Sequence, residues 1–457
     1  LFREWINNQK RDYYHLHQSE TDPDAIIIEN EYCYSYVTFN PQCIIELCVM
    51  NKRTDEMAFY LHFQFKTLKH AISLFEEMDQ CIKKMIDQPI CRLLLCCSGG
   101  MTTTFFADKI KNGIKVLNLN MEVAATSYQK IYNVAQNYDV ILLAPQVSYV
   151  KLQVEKVFKN KLVLKIPTQI FASYNVGALI TFVEESLKHK ENKYNGYVEP
   201  LASMMEIKTN KNVLAVSINA NGENSHISYR LYNSHQDIVL DSNIIKSNIK
   251  LQDVLDALDT VVLQNEMIDV ISIALPGVMV EGNVYSGIIE GGNHQLKERL
   301  EKRYEKEIYL INDVNAAVVG YYASQNEYKS LAFLFQPIGR MAGSGIVVNG
   351  QLVRGMDHLA GEVALLPLNL SDAYLTLANT PEGTLELVTK NIMSIIAIVA
   401  PEAIVVYSDL ILDSQDVSDE IKKALSQYPL KVYPQIIKVE NILEYILLGA
   451  MILSAKE

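Results

Sequence analysis

Between residues 89 and 190 short apolar runs alternate with amphipathic stretches, and this alternation restricts the fold more than any other feature of the chain. Residues 92–95, 114–119, 140–144 and 163–165 read as strands. Helices are expected from about 105, near 127–136 and 150–158, and over 177–188. Short apolar strands separated by helices bury themselves in a parallel sheet covered on both faces. Such sheets bind ligands beyond the carboxyl ends of their strands. Two notable segments fall there: Cys96-Cys97-Ser98-Gly99-Gly100-Met101-Thr102-Thr103 after the first strand, and Pro145-Gln146-Val147-Ser148-Tyr149 after the third.

Cys97 stands where the strand ends and a helix begins. A thiol at a helix start faces unpaired backbone N–H groups, which favour the thiolate and can hold a tetrahedral anion. Cys96 continues the apolar run and reads as core, the usual place of an unreactive cysteine.

The 457 residues exceed what one core supports, and with 49% apolar and 21% charged residues the composition is that of a globular protein of several domains. A net charge of -12 argues against nucleic-acid binding by these residues, although a basic segment ahead of Leu1 would escape that argument. No apolar run is long enough to insert in a membrane. All seven cysteines lie between Cys33 and Cys97, odd in number and irregular in spacing, which suggests a reducing, cytoplasmic setting rather than a disulfide framework. The rest of the chain therefore offers no thiolate for zinc, and no His/Glu spacing replaces it.

Composition divides the chain into residues 1–88, 89–190, a polar linker 191–212, and 213–457. The first block reads as a small α+β domain, with strands at 25–29, 34–39, 44–50 and 57–65 and a helix over 67–86; its His62 and His70 read as structural. The last block has strands at 213–218, 270–274 and 308–311. A hairpin pairs 331–335 with 345–348, turning at Asn349-Gly350. A helix over 384–399, a strand at 403–406 and an apolar closing helix follow, as in two α/β lobes with a cleft between them.

Two resemblances attach to these residues. Cys97-Ser98-Gly99-Gly100-Met101-Thr102-Thr103 and Leu142-Leu143-Ala144-Pro145-Gln146-Val147-Ser148-Tyr149 make residues 89–190 resemble the lactose/cellobiose-type IIB component of the bacterial sugar phosphotransferase system. The resemblance implies that Cys97 takes phosphate from a IIA phosphohistidine protein, usually for a sugar held by a membrane IIC partner. Ser98, Gly99, Gly100, Met101, Thr102 and Thr103 would hold the phosphate. Residues 213–457 resemble the ROK family of sugar kinases and sugar-responsive repressors, an actin-like, ribonuclease-H-like fold of two lobes. The resemblance rests on seven segments in family order, among them Ala274-Leu275-Pro276-Gly277-Val278, Asn312-Asp313-Val314-Asn315-Ala316-Ala317, Ala360-Gly361-Glu362-Val363 and Gly383-Thr384-Leu385-Glu386. It implies that Asp313 is the general base on a sugar hydroxyl, with Asn312, Glu362 and Glu386 bonding other hydroxyls. Asn312-Asp313 could equally cap the following helix.

The departures from the ROK pattern are selective. Where active members carry Asp-x-Gly-Gly-Thr this chain has Ser217-Ile218-Asn219-Ala220-Asn221, and the second phosphate loop reads Gly339-Arg340-Met341-Ala342-Gly343. Tyr407-Ser408 replaces the adenosine-side glycines, and Leu365 stands where the family's zinc-binding histidine belongs. ATP with magnesium is therefore not expected as a cofactor, nor is zinc, whereas a sugar or sugar phosphate is. The expected protein is a cytoplasmic, carbohydrate-responsive regulator tied to the phosphotransferase system; the alternative is an active ATP-dependent sugar kinase fused to a IIB-like carrier, with Arg340 contacting phosphate. The oligomeric state is left open by the sequence; a homodimer through the apolar C-terminal helices is one assembly the ROK resemblance allows.

Overall fold

The computed structural model describes every residue except 10, 53–55, 88–90, 99–100, 118, 120, 159–160, 189–208, 222–223, 281–282, 286–288, 291–295, 357–358, 412, 427–432 and 456–457. The expected linker lies largely outside the described residues.

The first block contains α1 (Phe2–Asn7), β1 (His15–Gln18), β2 (Ala25–Glu29), β3 (Cys33–Asn40), β4 (Ile44–Asn51), β5 (Glu56–Gln64) and α2 (Leu68–Asp87). The strands form an antiparallel meander. The residues ahead of the first expected strand also hold structure, α1 and β1; Phe2 and Ile6 of α1 are buried, and Phe2 packs edge-on against Phe75.

The second block is β6 (Cys91–Cys97), α3 (Met101–Val116), β7 (Met121–Ser127), α4 (Ile131–Val134), β8 (Val140–Leu143), α5 (Lys151–Val157), β9 (Leu162–Lys165), α6 (Thr168–Ser173) and α7 (Val176–Lys188). Its sheet is parallel, in the order β7-β6-β8-β9. One expected strand is corrected. Residues 114–116 belong to α3, because Phe106, Ile110 and Ile114 are buried at helical spacing while Val116 and Leu117 face outward. The strand begins instead at Met121.

The third block opens with β10 (Val213–Asn221), β11 (Asn224–Tyr232), β12 (Ile238–Lys246), β13 (Ile249–Lys250), α8 (Leu251–Gln264), β14 (Val270–Leu275), β15 (Val278–Val280), β16 (Asn283–Tyr285), β17 (Ile289–Glu290), α9 (Leu296–Tyr304), β18 (Glu307–Asn312) and α10 (Asp313–Ala323). The second lobe holds β19 (Leu331–Phe335), β20 (Gly343–Val348), β21 (Gln351–Leu352), α11 (Tyr374–Leu377), α12 (Pro381–Val399), β22 (Ala403–Tyr407), α13 (Ser414–Leu425), β23 (Gln435–Lys438) and α14 (Leu443–Ala455). Its sheet runs β21-β20-β19-β22-β23. The Asn349-Gly350 turn joins β20 to β21, with both residues at positive φ, rather than closing the β19–β20 pair; residues 336–342 make that connection.

The sheet of the first lobe does not stop at the third block. It has ten strands in the order β1-β2-β3-β4-β5-β12-β11-β10-β14-β18, with Tyr60 of β5 opposite Ile245 of β12. Phe75 and Met78 of α2 share one core with Val254 and Leu258 of α8. Lys246, buried on β12, bonds Glu77 of α2 and Asp253 of α8, each at 2.5 Å. His62 reaches the Tyr229 hydroxyl at 2.5 Å, burial pushing its pKa down to about 4, and His70 pairs with Asp256 at 2.8 Å. Both histidines thus tie the first block to the lobe.

The lobes are fastened by α10 and α14. A Cβ on Gly449 would lie 1.8 Å from the Ala316 carbonyl oxygen and one on Gly320 2.0 Å from that of Tyr445, so the crossing is close enough to exclude any side chain there.

Candidate functional site

Two candidate sites lie at the carboxyl ends of parallel strands. In the second block, Cys97 is the last residue of β6 and pairs in register with Ser127, while Cys96 pairs with Leu143. The Ala144 N–H donates to the Cys96 carbonyl at 2.9 Å, and Pro145–Val150 coils as a 3-10 helix from that point. Cys97 and the Pro145–Tyr149 loop therefore share one sheet edge, as the sequence indicated. The Cys97 thiol is buried and points to the Thr126 carbonyl at 3.9 Å. Cys96 has no exposed surface; burial, with Cys97 adding to it, pushes its thiol up to about 12, as suits a core residue. Ser98 is described and exposed. Gly99 and Gly100 lie outside the described residues, as do the side chains of Met101, Thr102 and Thr103, although these three open α3.

In the third block, β14 and β18 end side by side, Leu275 opposite Asn312. Asn312 caps α10: its Oδ1 accepts from the N–H of Val314 and of Asn315, both at 3.0 Å, and its Nδ2 donates to the Gly277 carbonyl at 3.2 Å. The capping alternative thus describes Asn312's own bonds. Asp313 follows as the first residue of α10, buried, with Oδ1 accepting from the Val314 N–H at 2.9 Å. Burial pushes its carboxyl up to about 6 against that bond, and the charge of Glu362 adds to the rise. The Glu362 carboxyl is itself raised by burial. Gly361 brings it there. At φ +92° its carbonyl takes the Ser344 N–H at 3.1 Å, and a Cβ would lie 2.0 Å from the Ser344 oxygen.

Glu386 is engaged elsewhere. It accepts from the Ser371 N–H at 2.9 Å, from the Ser371 hydroxyl, and from Lys390 at 2.7 Å. Partial burial would raise its carboxyl, but Lys390 and Ser371 outweigh it and hold the pKa low.

Two further residues escaped the sequence reading. Asn315 Oδ1 and Ser344 Oγ are buried and have no hydrogen-bond partner among the described residues. Orphaned acceptors and hydroxyls flanking Asp313 and Gly361 are what a polyol would satisfy. Their signal was available, since Asn315 lies within the Asn312–Ala317 segment and Ser344 next to Gly343.

The loop after β19 differs in kind. Its polar groups are already used internally: the Gly339 N–H donates to the Ala378 carbonyl at 2.9 Å and the Ala342 N–H to the Tyr374 hydroxyl at 3.1 Å. Gln336, fully buried, bonds Tyr374 and the carbonyls of Pro337 and Arg340. A Cβ on Gly339 would meet the Asn379 side chain at 2.7 Å. Among the described residues no group of three His, Cys, Asp or Glu is placed to hold a metal ion, and no helix is long and apolar enough to cross a membrane.

Two separate stretches of the chain match known families. Residues 92–181 match the family model "PTS system, Lactose/Cellobiose specific IIB subunit", and residues 221–383 match that of the ROK family. The oligo-beta-mannoside-specific EIIB component of the phosphotransferase system of Bacillus subtilis (strain 168) is 29% identical over 65 residues, 14% of this chain and 63% of that protein. The chain thus matches less than two thirds of that relative's length. Among solved structures, a ROK family protein from Streptococcus pneumoniae TIGR4, in complex with sucrose, is 19% identical over 53% of this chain and 97% of its own, with a TM-score of 0.42. The lactose-specific IIB component domain from Streptococcus pneumoniae is 22% identical over 21% of this chain and 95% of its own, with a TM-score of 0.19. The chain joins a IIB-like unit to a ROK-like unit.

Proposed function

We propose that this chain, as a fusion of IIB-like and ROK-like units, is a bacterial cytoplasmic regulator that takes a phosphoryl group on Cys97 and binds a sugar or sugar phosphate at Asp313 without phosphorylating it. The observation that carries this reading is the contrast between the two sides of the ROK-like cleft. On one side Asp313 and Glu362 are held half-buried or deeper with raised pKa values beside orphaned polar atoms, an arrangement that costs stability and typifies ligand sites. On the other side the Gly339 and Ala342 amides, which a phosphate would need, are spent on Ala378 and Tyr374.

For the first activity, the Cys97 sulfur attacks the phosphorus of a phosphohistidine on a IIA-type partner. The S–P bond forms as the N–P bond breaks, and the released imidazole keeps the bonding pair and takes up the thiol proton. Ser98 and the residues opening α3 would hold the dianion. For the second, Asn312 fixes the start of α10 and thereby the Asp313 carboxylate, which accepts from a sugar hydroxyl with Glu362. The sugar alters output by binding the open and closed lobes with different affinity.

Calorimetric titration of the full chain with a sugar and sugar-phosphate panel, with and without ATP and magnesium, tests this reading. Sugar binding with no heat from ATP is expected. One observation favours the active-kinase reading: a carboxyl at about 6 is poised to act as a general base near neutrality. Sugar-dependent ATP hydrolysis that disappears in Asp313→Asn would establish that reading and overturn ours.

A further inference from the structure

The carboxyl edges of two parallel sheets meet in this molecule. From the IIB-like unit, Tyr128 follows directly on Ser127, the register partner of Cys97. Its hydroxyl donates to Glu382 Oε1 at 2.8 Å, in the first turn of α12. From the second lobe, Leu410 lies just past the end of β22 and is 2% exposed, yet the core it completes is that of the IIB-like unit, with Cys97, Leu142 and Phe171. Ile338, just past β19, packs against the same core. Both apolar anchors thus come from the carboxyl ends of adjacent parallel strands, where an open sheet would otherwise present its ligand edge.

We infer that the carboxyl edge of the second lobe, through Ile338, Leu410 and Glu382, is a docking surface for the Cys97-bearing edge of the IIB-like unit, and that this seam must open before a protein donor reaches Cys97. A phosphohistidine has to approach the sulfur in line, with its whole protein behind it. The Tyr128–Glu382 bond joins the two units one residue beyond Ser127, the register partner of Cys97. The same docked unit covers the ends of β19 and β22, so one surface is closed to ligands while the other is closed to the donor. This inference rests on the proposed phosphoryl transfer only for its consequence; the seam itself is an observed contact.

The test uses the full chain and two readouts at Cys97. One is the rate of alkylation by a polyethylene glycol maleimide, with Cys97→Ser as the background for exposed Cys43. The other is the rate of phosphate uptake from a phosphorylated IIA-type donor. Leu410→Lys places a charge in the shared core and should raise both rates about tenfold or more, by increasing the open population. Glu382→Ala removes one exposed hydrogen bond and should raise both about threefold. It lies at an exposed position and keeps the fold, so it decides the matter if Leu410→Lys does not fold. Unchanged rates in folded variants would overturn the docking seam. Faster alkylation with no phosphate uptake in any variant would uphold the seam and refute the proposed phosphoryl transfer instead.

Discussion

Replacing Asp313 by Asn should stabilise the protein, and by an amount that depends on pH. Burial raises this carboxyl from 3.8 to about 6. A carboxyl raised on folding adds stability while it is protonated, below the unfolded pKa, and that stability is lost as pH climbs through the folded value. The shift of about two units corresponds to about 3 kcal/mol at pH 8, given 1.36 kcal/mol per unit. Asn is isosteric, cannot ionise, and keeps an oxygen for the Val314 N–H, so the variant escapes that loss. Asp313→Asn should therefore gain up to about 3 kcal/mol over wild type at pH 8, with the gain shrinking through pH 6 and vanishing near pH 4. Urea unfolding followed by the fluorescence of Trp5, the single tryptophan, reads this out, because Trp5 packs on the core of the ten-stranded sheet that ends at β18. A stability difference that stays constant between pH 4 and 8 would refute the reasoning, since the buried charge would then not be what Asp313 costs.

Other outcomes follow from single contacts. Lys246→Met leaves Asp253 and Glu77 without their shared cation and should cost about 3 kcal/mol in the same urea assay, a loss that Glu77→Gln partly restores. Gly361→Ala forces a Cβ toward the Ser344 carbonyl and should lower sugar affinity at least tenfold by calorimetry, because Glu362 moves with the loop. Glu362→Gln should weaken sugar binding about tenfold, whereas Glu386→Gln should change it less than threefold, since the Glu386 carboxylate is already committed to Ser371 and Lys390.

The readability of the chain followed the range of the forces involved. The strands β2 to β6, β8 and β9 could be read because their apolar residues alternate or run together, and the two motifs at the β6 edge were placed together by counting strand ends. The error at residues 114–119 arose because the short apolar-rich run Ile114-Lys115-Val116-Leu117 resembles a strand while its buried partners, Phe106 and Ile110, set a helical period. Strands β11 and β12 were missed because polar residues such as Arg230 are buried in them, satisfied by Asp241 and Glu444, so burial was not marked by apolarity. The union of β5 with β12 left no local trace at all. It depends on pairing residues far apart in sequence, and on Lys246 meeting Glu77, which only the assembled sheet brings about. At the candidate site Asp313 and Glu362 could be named from their motifs, but the raised carboxyl and the committed Glu386 are consequences of burial and of Ser371, which no motif records.

The central claim is covalent chemistry at Cys97, and phosphoryl transfer measures it most directly. The full chain is incubated with a radiolabelled, phosphorylated IIA-type protein, and the label is located by peptide mapping. One phosphate per chain is expected on Cys97, absent in Cys97→Ser and retained in Cys96→Ser. No label in wild type, or label that persists in Cys97→Ser, would contradict it.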